Sequence, residues 1–152
     1  KRVDLMIVIE DFLDKETCNH CIKYMQEHRS KTEPFQKTMR LGLFNCKEDK
    51  KIKKLVDKYS KIYPGHYLKN IEISEWPVGE SHKWHRDNQF YDRTTITYLN
   101  DNYVGGVNFV KKFKSEPKTG KIILFNSEDI HMASMLEEGI RYVILAWFNI
   151  LK

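Results

Sequence analysis

Three side chains far apart in the chain could together hold a metal. His85 and Asp87 are separated by one residue in Trp84-His85-Arg86-Asp87-Asn88, and His131 follows 44 residues after Asp87, in Asp129-Ile130-His131-Met132. On a strand the first spacing points both side chains to one face, because strand side chains alternate. The second spacing is too long for a local motif, so only a folded sheet can bring His131 back. Two imidazoles and one carboxylate on one face suit Fe(II) and leave half of its coordination sphere open to reactants. Taken alone, His-x-Asp carries little weight, since ordinary surface tripeptides match it.

A second feature adds to the first. Arg141 lies ten residues past His131, inside the apolar run Gly139-Ile140-Arg141-Tyr142-Val143-Ile144-Leu145-Ala146-Trp147-Phe148. An unpaired buried charge is costly, so this guanidinium needs a partner. A structural carboxylate is one reading. A dicarboxylate co-substrate, gripped through a bidentate pair, is the other.

Asp129-x-His131, Arg141-Tyr142 and Trp147-Phe148, with His85-x-Asp87, Thr97-Tyr98-Leu99-Asn100 and Gly105-Gly106 upstream, resemble the prolyl 4-hydroxylase branch of the 2-oxoglutarate- and Fe(II)-dependent dioxygenases. The resemblance is close from Ile71 to Asn149. It is looser in the amino-terminal half, where Val8-Ile9-Glu10-Asp11-Phe12-Leu13 followed by a helix is similar to how these domains begin. It implies Fe(II) held by His85, Asp87 and His131, with 2-oxoglutarate and O2 as co-substrates and ascorbate as a reductant. The implied reaction hydroxylates an unactivated C–H bond and releases succinate and CO2. Halogenating relatives lack the carboxylate ligand, so Asp87 implies hydroxylation. Arg141 would clamp the far carboxylate of 2-oxoglutarate, with Tyr98 as a phenolic donor to the same group. A core aromatic on a strand is the plainer reading of Tyr98. In this family the clamp is Lys or Arg, and Arg141 to Phe148 resembles the oxygen-sensing prolyl hydroxylases, which use Arg.

The resemblance also marks substrate residues. Trp147, six residues past Arg141, falls on the same strand face towards the mouth of the barrel. There an indole would pack against a proline ring, or serve only as core. Trp76 and His82 occupy places where prolyl hydroxylases commonly carry tyrosines near the iron. His82 is also a competing metal ligand. Arg93, at the start of the strand that carries Tyr98, is a candidate for a substrate carbonyl.

Composition suits one domain, with residues 1–66 as a helical support region and 67–152 as a jelly-roll core. The chain has 152 residues and net charge +5 with His neutral. That charge permits an anionic partner without demanding one. With neither a membrane-spanning run nor a signal peptide in view, and an odd count of three cysteines, a reducing cytoplasmic setting is expected.

Val3 to Glu10 reads as a strand and Asp14 as the cap of a helix over Lys15 to Arg29. Cys18-x-x-Cys21 lies on the apolar stripe of that helix. No further ligands are placed for a zinc knuckle, so two half-buried cysteines are expected. Pro34 interrupts, and Lys37 to Cys46 alternates as a strand. Asn45 and Glu48 form a plausible capping box for a second helix over Lys47 to Tyr63. Its seven lysines (Lys47, Lys50, Lys51, Lys53, Lys54, Lys58 and Lys61) read as a solvated face or a nucleic-acid patch, the former favoured by the interspersed Glu48, Asp49 and Asp57. His20, His28 and His66 read as ordinary surface histidines.

Beyond Tyr67 the pattern is short strands at turn spacing. The expected fold is mostly β with flanking helices: a double-stranded β-helix, or cupin-like jelly roll. A proline-containing peptide or protein is the expected substrate, with no membrane partner and no nucleic acid. A nucleic-acid base, a free amino acid or another small molecule is the alternative, as is a non-catalytic jelly-roll binding module. Nothing in the pattern specifies an oligomer.

Overall fold

A computed structural model describes residues 6–152. It begins with β1 (Ile7–Ile9), α1 (Lys15–Glu27), a short 3-10 turn (Arg29–Lys31), β2 (Glu33–Phe35), β3 (Thr38–Gly42) and α2 (Lys50–Ser60). There follow β4 (His66–Trp76), β5 (His82–His85), β6 (Arg93–Tyr98), β7 (Val104–Gly105), β8 (Asn108–Val110), β9 (Phe113–Ser115), β10 (Ile122–Asn126), β11 (His131–Ala133), β12 (Leu136–Glu138) and β13 (Arg141–Ile150).

The strands form a seven-stranded sheet, ordered β1-β10-β6-β13-β4-β3-β2, and a four-stranded sheet, ordered β5-β11-β8-β9, with β12 and β7 paired apart. This is the expected jelly roll. β13 lies between β4 and β6 and pairs with both, Val143 facing Ser74 on one side and Tyr98 on the other. Period-two alternation then divides its side chains. Tyr142, Ile144, Ala146 and Phe148 join α1 and α2 in one core cluster, with Cys18, Cys21, Met25, Ile52, Leu55 and Tyr59. Val143, Leu145 and Trp147 join Ile96, Tyr98, Val110, Ile123 and Phe125 in a second cluster between the two sheets. A strand buried on both faces reads as a continuous apolar run, which is why Arg141 stands out in it.

Several sequence expectations shift. Asp14 does cap α1, accepting from the Thr17 N–H, but α1 stops at Glu27. The second helix starts at Lys50, capped by Asp49, whose carboxylate accepts from the Ile52 N–H. Asn45 and Glu48 form no capping box; Glu48 instead accepts from the Tyr24 hydroxyl. Pro34 sits within β2, which an edge strand tolerates because the missing N–H faces away from the ladder. Of the expected first strand, Val3 and Leu5 lie outside the described residues. His20 and His28 are not plain surface histidines: His20 Nε2 meets both Asp49 oxygens at 2.9 Å, and the His28 ring stacks on Tyr24 at 3.9 Å. Cys18, Cys21 and Cys46 are free thiols buried in the core. The lysines at 47, 50, 51, 53, 54, 58 and 61 are exposed, and Lys51 and Lys61 pair with Glu16 and Asp57.

Candidate active site

β5 and β11 run antiparallel with His85 directly opposite His131, so the two imidazoles meet as a cross-strand pair. Their ring centroids are 4.2 Å apart. Asp87 lies past the end of β5, not on the strand as its spacing suggested. It is pinned by its N–H, which donates to the Ser127 carbonyl at 2.8 Å. The carboxylate still reaches both rings, with His85 Nε2 3.6 Å from Oδ1 and His131 Nε2 3.3 Å from Oδ2. The three ligand atoms lie within 4.8 Å of one another. His85 Nδ1 contacts the Lys83 carbonyl at 2.6 Å and His131 Nδ1 the Asp129 carbonyl at 2.8 Å. Both carbonyls can only accept, so both Nδ1 atoms carry the proton and both Nε2 lone pairs face the centre. Thr94 Oγ donates to Asp87 Oδ2 at 3.0 Å, and Trp147 Nε1 donates to the same oxygen at 3.2 Å. Burial opposes the Asp87 charge. His131, Trp147 and His85 beside it outweigh that and hold the carboxyl below the usual range. The arrangement is a three-donor face for a divalent cation, open to solvent on the His85 side, where the ring is 41 % exposed.

These residues line a hollow of about 1390 Å3. At its deep end sits Arg141, only 1 % exposed. Its guanidinium carbon lies 4.2 Å over the Trp76 ring, and Nη2 donates to Asn108 Oδ1 at 2.7 Å. Among the described residues no carboxylate pairs with it, and its Nε has no partner. Trp76 Nε1 and His82 Nε2 are likewise buried without partners, and both residues line the hollow. A buried cation ringed by unanswered polar atoms fits an anion with several acceptor oxygens. Gly106 makes room for it: its φ is +61°, and a Cβ there would stand 2.7 Å from Arg141 Cδ.

Residues 71–149 match the model of the 2OG-Fe(II) oxygenase superfamily. This chain belongs to that superfamily. Membership brings Fe(II), 2-oxoglutarate and O2 as the reactive set, and the three-donor face and the buried guanidinium suit the first two. A PKHD-type hydroxylase of Synechococcus sp. (strain CC9605) is 30 % identical over 109 residues, covering 62 % of this chain. The chain spans about half the length of that relative, 47 %. Among solved structures, a Pseudomonas putida prolyl-4-hydroxylase superposes with TM-score 0.79 at 14 % identity, covering 97 % of this chain and 93 % of that one. A Trichoplax adhaerens prolyl hydroxylase, bound to a hypoxia inducible factor peptide fragment, superposes with TM-score 0.69 at 14 % identity, covering 95 % and 83 %. At these identities the two superpositions establish the oxygenase fold and nothing finer.

The remaining candidates divide. Trp147 is at the mouth of the hollow, with one face stacked on Tyr91 at 4.9 Å between centroids. His82 packs against Trp76 at 4.5 Å. Burial, with Arg40 and Arg141 nearby, pushes its imidazole down to about 3, so it is neutral. It stands outside the three-donor cluster. Arg93 faces the other way. It alternates with Thr94, which points at Asp87, and so turns to the helix side near Tyr63, off the lining of the hollow. Tyr98 is fully buried beside Arg141, but its hydroxyl is engaged by Asn108 and Ser115. Asn108, Thr94 and Tyr91 escaped the sequence reading. Thr94 looked like ordinary strand composition. Asn108 left one clue, a polar side chain at an inward position two residues past Gly105-Gly106.

Proposed function

We propose that this chain is a 2-oxoglutarate- and Fe(II)-dependent dioxygenase that hydroxylates a peptidyl proline and releases succinate and CO2. The observation that carries the reading is one hollow holding both the His85–Asp87–His131 face and a buried guanidinium with no carboxylate partner among the described residues. A proline-containing peptide is the substrate favoured by the activities of the relatives. An aromatic mouth formed by Tyr91 and Trp147 also favours it.

In this reading iron and its two co-substrates supply the oxidising power. The protein binds, orients and shields. His85 and His131, locked as Nδ1–H tautomers, present Nε2; Asp87 supplies the third donor, its carboxylate held by Thr94 and Trp147. Arg141 receives the far carboxylate of 2-oxoglutarate, stacked on Trp76 so that the charge need not move to bind. The apolar wall of Ile96 and Leu145, backed by Val110 and Phe125, excludes water from the bound diacid. The open side at His85 is left for the substrate.

The test is anaerobic loading with Fe(II), then O2, 2-oxoglutarate and ascorbate with a proline peptide library. Succinate should form in step with a +16 Da product on proline. Stimulation by free amino acids or oligonucleotides instead would replace the peptidyl substrate. No succinate under any condition would leave a binding module.

A further inference from the structure

We propose that Asn108, and not Tyr98, supplies the hydrogen-bond donor beside Arg141 for the far carboxylate of the diacid. This rests on the reading above and concerns the same site.

Asn108 is 3 % exposed. It opens β8, where it pairs with Ala133 of β11 and Ser115 of β9. Its Oδ1 accepts from Arg141 Nη2 at 2.7 Å and from the Tyr98 hydroxyl at 3.0 Å. A guanidinium can only donate, so the atom facing it must be the amide oxygen; the assignment follows from the partner. Two donors then fill the two lone pairs of that oxygen. The amide nitrogen is turned the other way. It makes no hydrogen bond among the described residues, and Asn108 lines the hollow.

Tyr98 is placed differently. A phenol has one proton to give. Three acceptors already surround it: Asn108 Oδ1 at 3.0 Å, and the Ser115 carbonyl and hydroxyl at 3.1 Å each. Tyr98 is absent from the lining of the hollow. To donate to an incoming carboxylate it would have to withdraw that one proton from the acceptor that holds it. Asn108 has two N–H groups to offer with nothing to break. The amide and the guanidinium thus form one donor pair, tied together at Oδ1.

The experiment measures binding of 2-oxoglutarate, and of the monoacid 2-oxopentanoate, to the full chain loaded with Mn(II), by titration calorimetry. Asn108→Asp is nearly isosteric and keeps an acceptor for Arg141 and Tyr98, but it loses the N–H donor and adds a like charge. It should weaken 2-oxoglutarate at least about a hundredfold. Asn108→Leu removes the donor without the charge and should weaken it at least about tenfold, as expected for a hydrogen bond to a charged group. Tyr98→Phe should stay within about threefold of wild type, since the amide keeps its bond to Arg141. All variants should bind 2-oxopentanoate like wild type, because that probe has no far carboxylate. Melting temperatures and Mn(II) affinity identify any variant that fails to fold, and Asn108→Asp and Asn108→Leu are independent on that count. The inference is overturned if Asn108→Leu binds 2-oxoglutarate like wild type, if Tyr98→Phe loses as much, or if the monoacid weakens in parallel. A wild-type chain that binds Mn(II) but not 2-oxoglutarate would overturn the dioxygenase reading itself, a different result from any of these.

Discussion

A metal ligand is only as good as what holds it still. Asp87 Oδ2 takes hydrogen bonds from Thr94 and Trp147, and Thr94 is itself bonded to Ser127, whose carbonyl holds the Asp87 N–H. Thr94→Val removes the hydroxyl at almost constant volume and leaves the ligand set intact. Mn(II) affinity should fall about tenfold, the usual cost of losing such a supporting bond. Thr94→Ser should restore it; equal affinity in all three proteins would remove Thr94 from the site's machinery. Gly106 tests the other end. Its Cα faces the Arg141 stem, and a methyl there meets Cδ at 2.7 Å on a backbone already at φ +61°. Gly106→Ala should displace the guanidinium and weaken 2-oxoglutarate about tenfold or more, with Mn(II) affinity unchanged. Calorimetric titration of each ligand separates the two effects.

At the scale of elements, Glu75 on β4 fastens the outer face of the large sheet to the 3-10 turn that follows α1. Its carboxylate pairs in a bidentate manner with Arg29 at 2.8 and 2.9 Å and accepts from the Tyr142 hydroxyl of β13 at 2.7 Å. Burial would raise its pKa, but the bonds from Arg29 and Tyr142 outweigh that and lower it. The folded pKa is thus below the unfolded one. The stabilisation is complete above the unfolded carboxyl range and is lost as pH falls through the folded value. Glu75→Gln should cost about 1 kcal/mol at pH 7, discounted because Arg29 is half exposed. Urea melts should find that gap closing below about pH 4, near the ordinary glutamate value; a constant gap would mean that the charge contributes nothing. Such ties were invisible in the sequence, because Arg29, Glu75 and Tyr142 show no pattern until β4 and β13 pair. The His85–Asp87–His131 cluster and Arg141 were legible from residue type. Arg141 is chemically out of place in an apolar, strand-forming run, and His85 and His131 need only the common antiparallel register to meet. Asn108 was not legible, since one polar residue in a short strand says nothing about which side chains converge on its oxygen. Arg93 was misplaced by the same blindness: its face depends on which neighbour points at Asp87, a fact of register.

For the whole molecule, the site joins the two sheets. His85 and His131 belong to the small sheet, whereas Thr94, Trp147 and Arg141 belong to the large one. Asp87 bridges them, bonded to Thr94 and Trp147 while facing both imidazoles. A cation at this face ties the sheets at the mouth, and a diacid reaching from it to Arg141 ties them again in depth. A ligand that binds only the folded state stabilises by an amount set by its excess over Kd, about 2.7 kcal/mol at a hundredfold excess. For a chain of this size that corresponds to a rise in Tm of about 5–10 °C. Mn(II) should give that rise in wild type and in Arg141→Met, but not in His131→Ala. Added 2-oxoglutarate should give a further rise in wild type only when Mn(II) is present, and none in Arg141→Met, because each end of the diacid needs its own anchor. If 2-oxoglutarate shifted the melting of Arg141→Met as much as that of wild type, the guanidinium would not be its anchor, and the deep end of the hollow would need another explanation for a buried, unanswered charge.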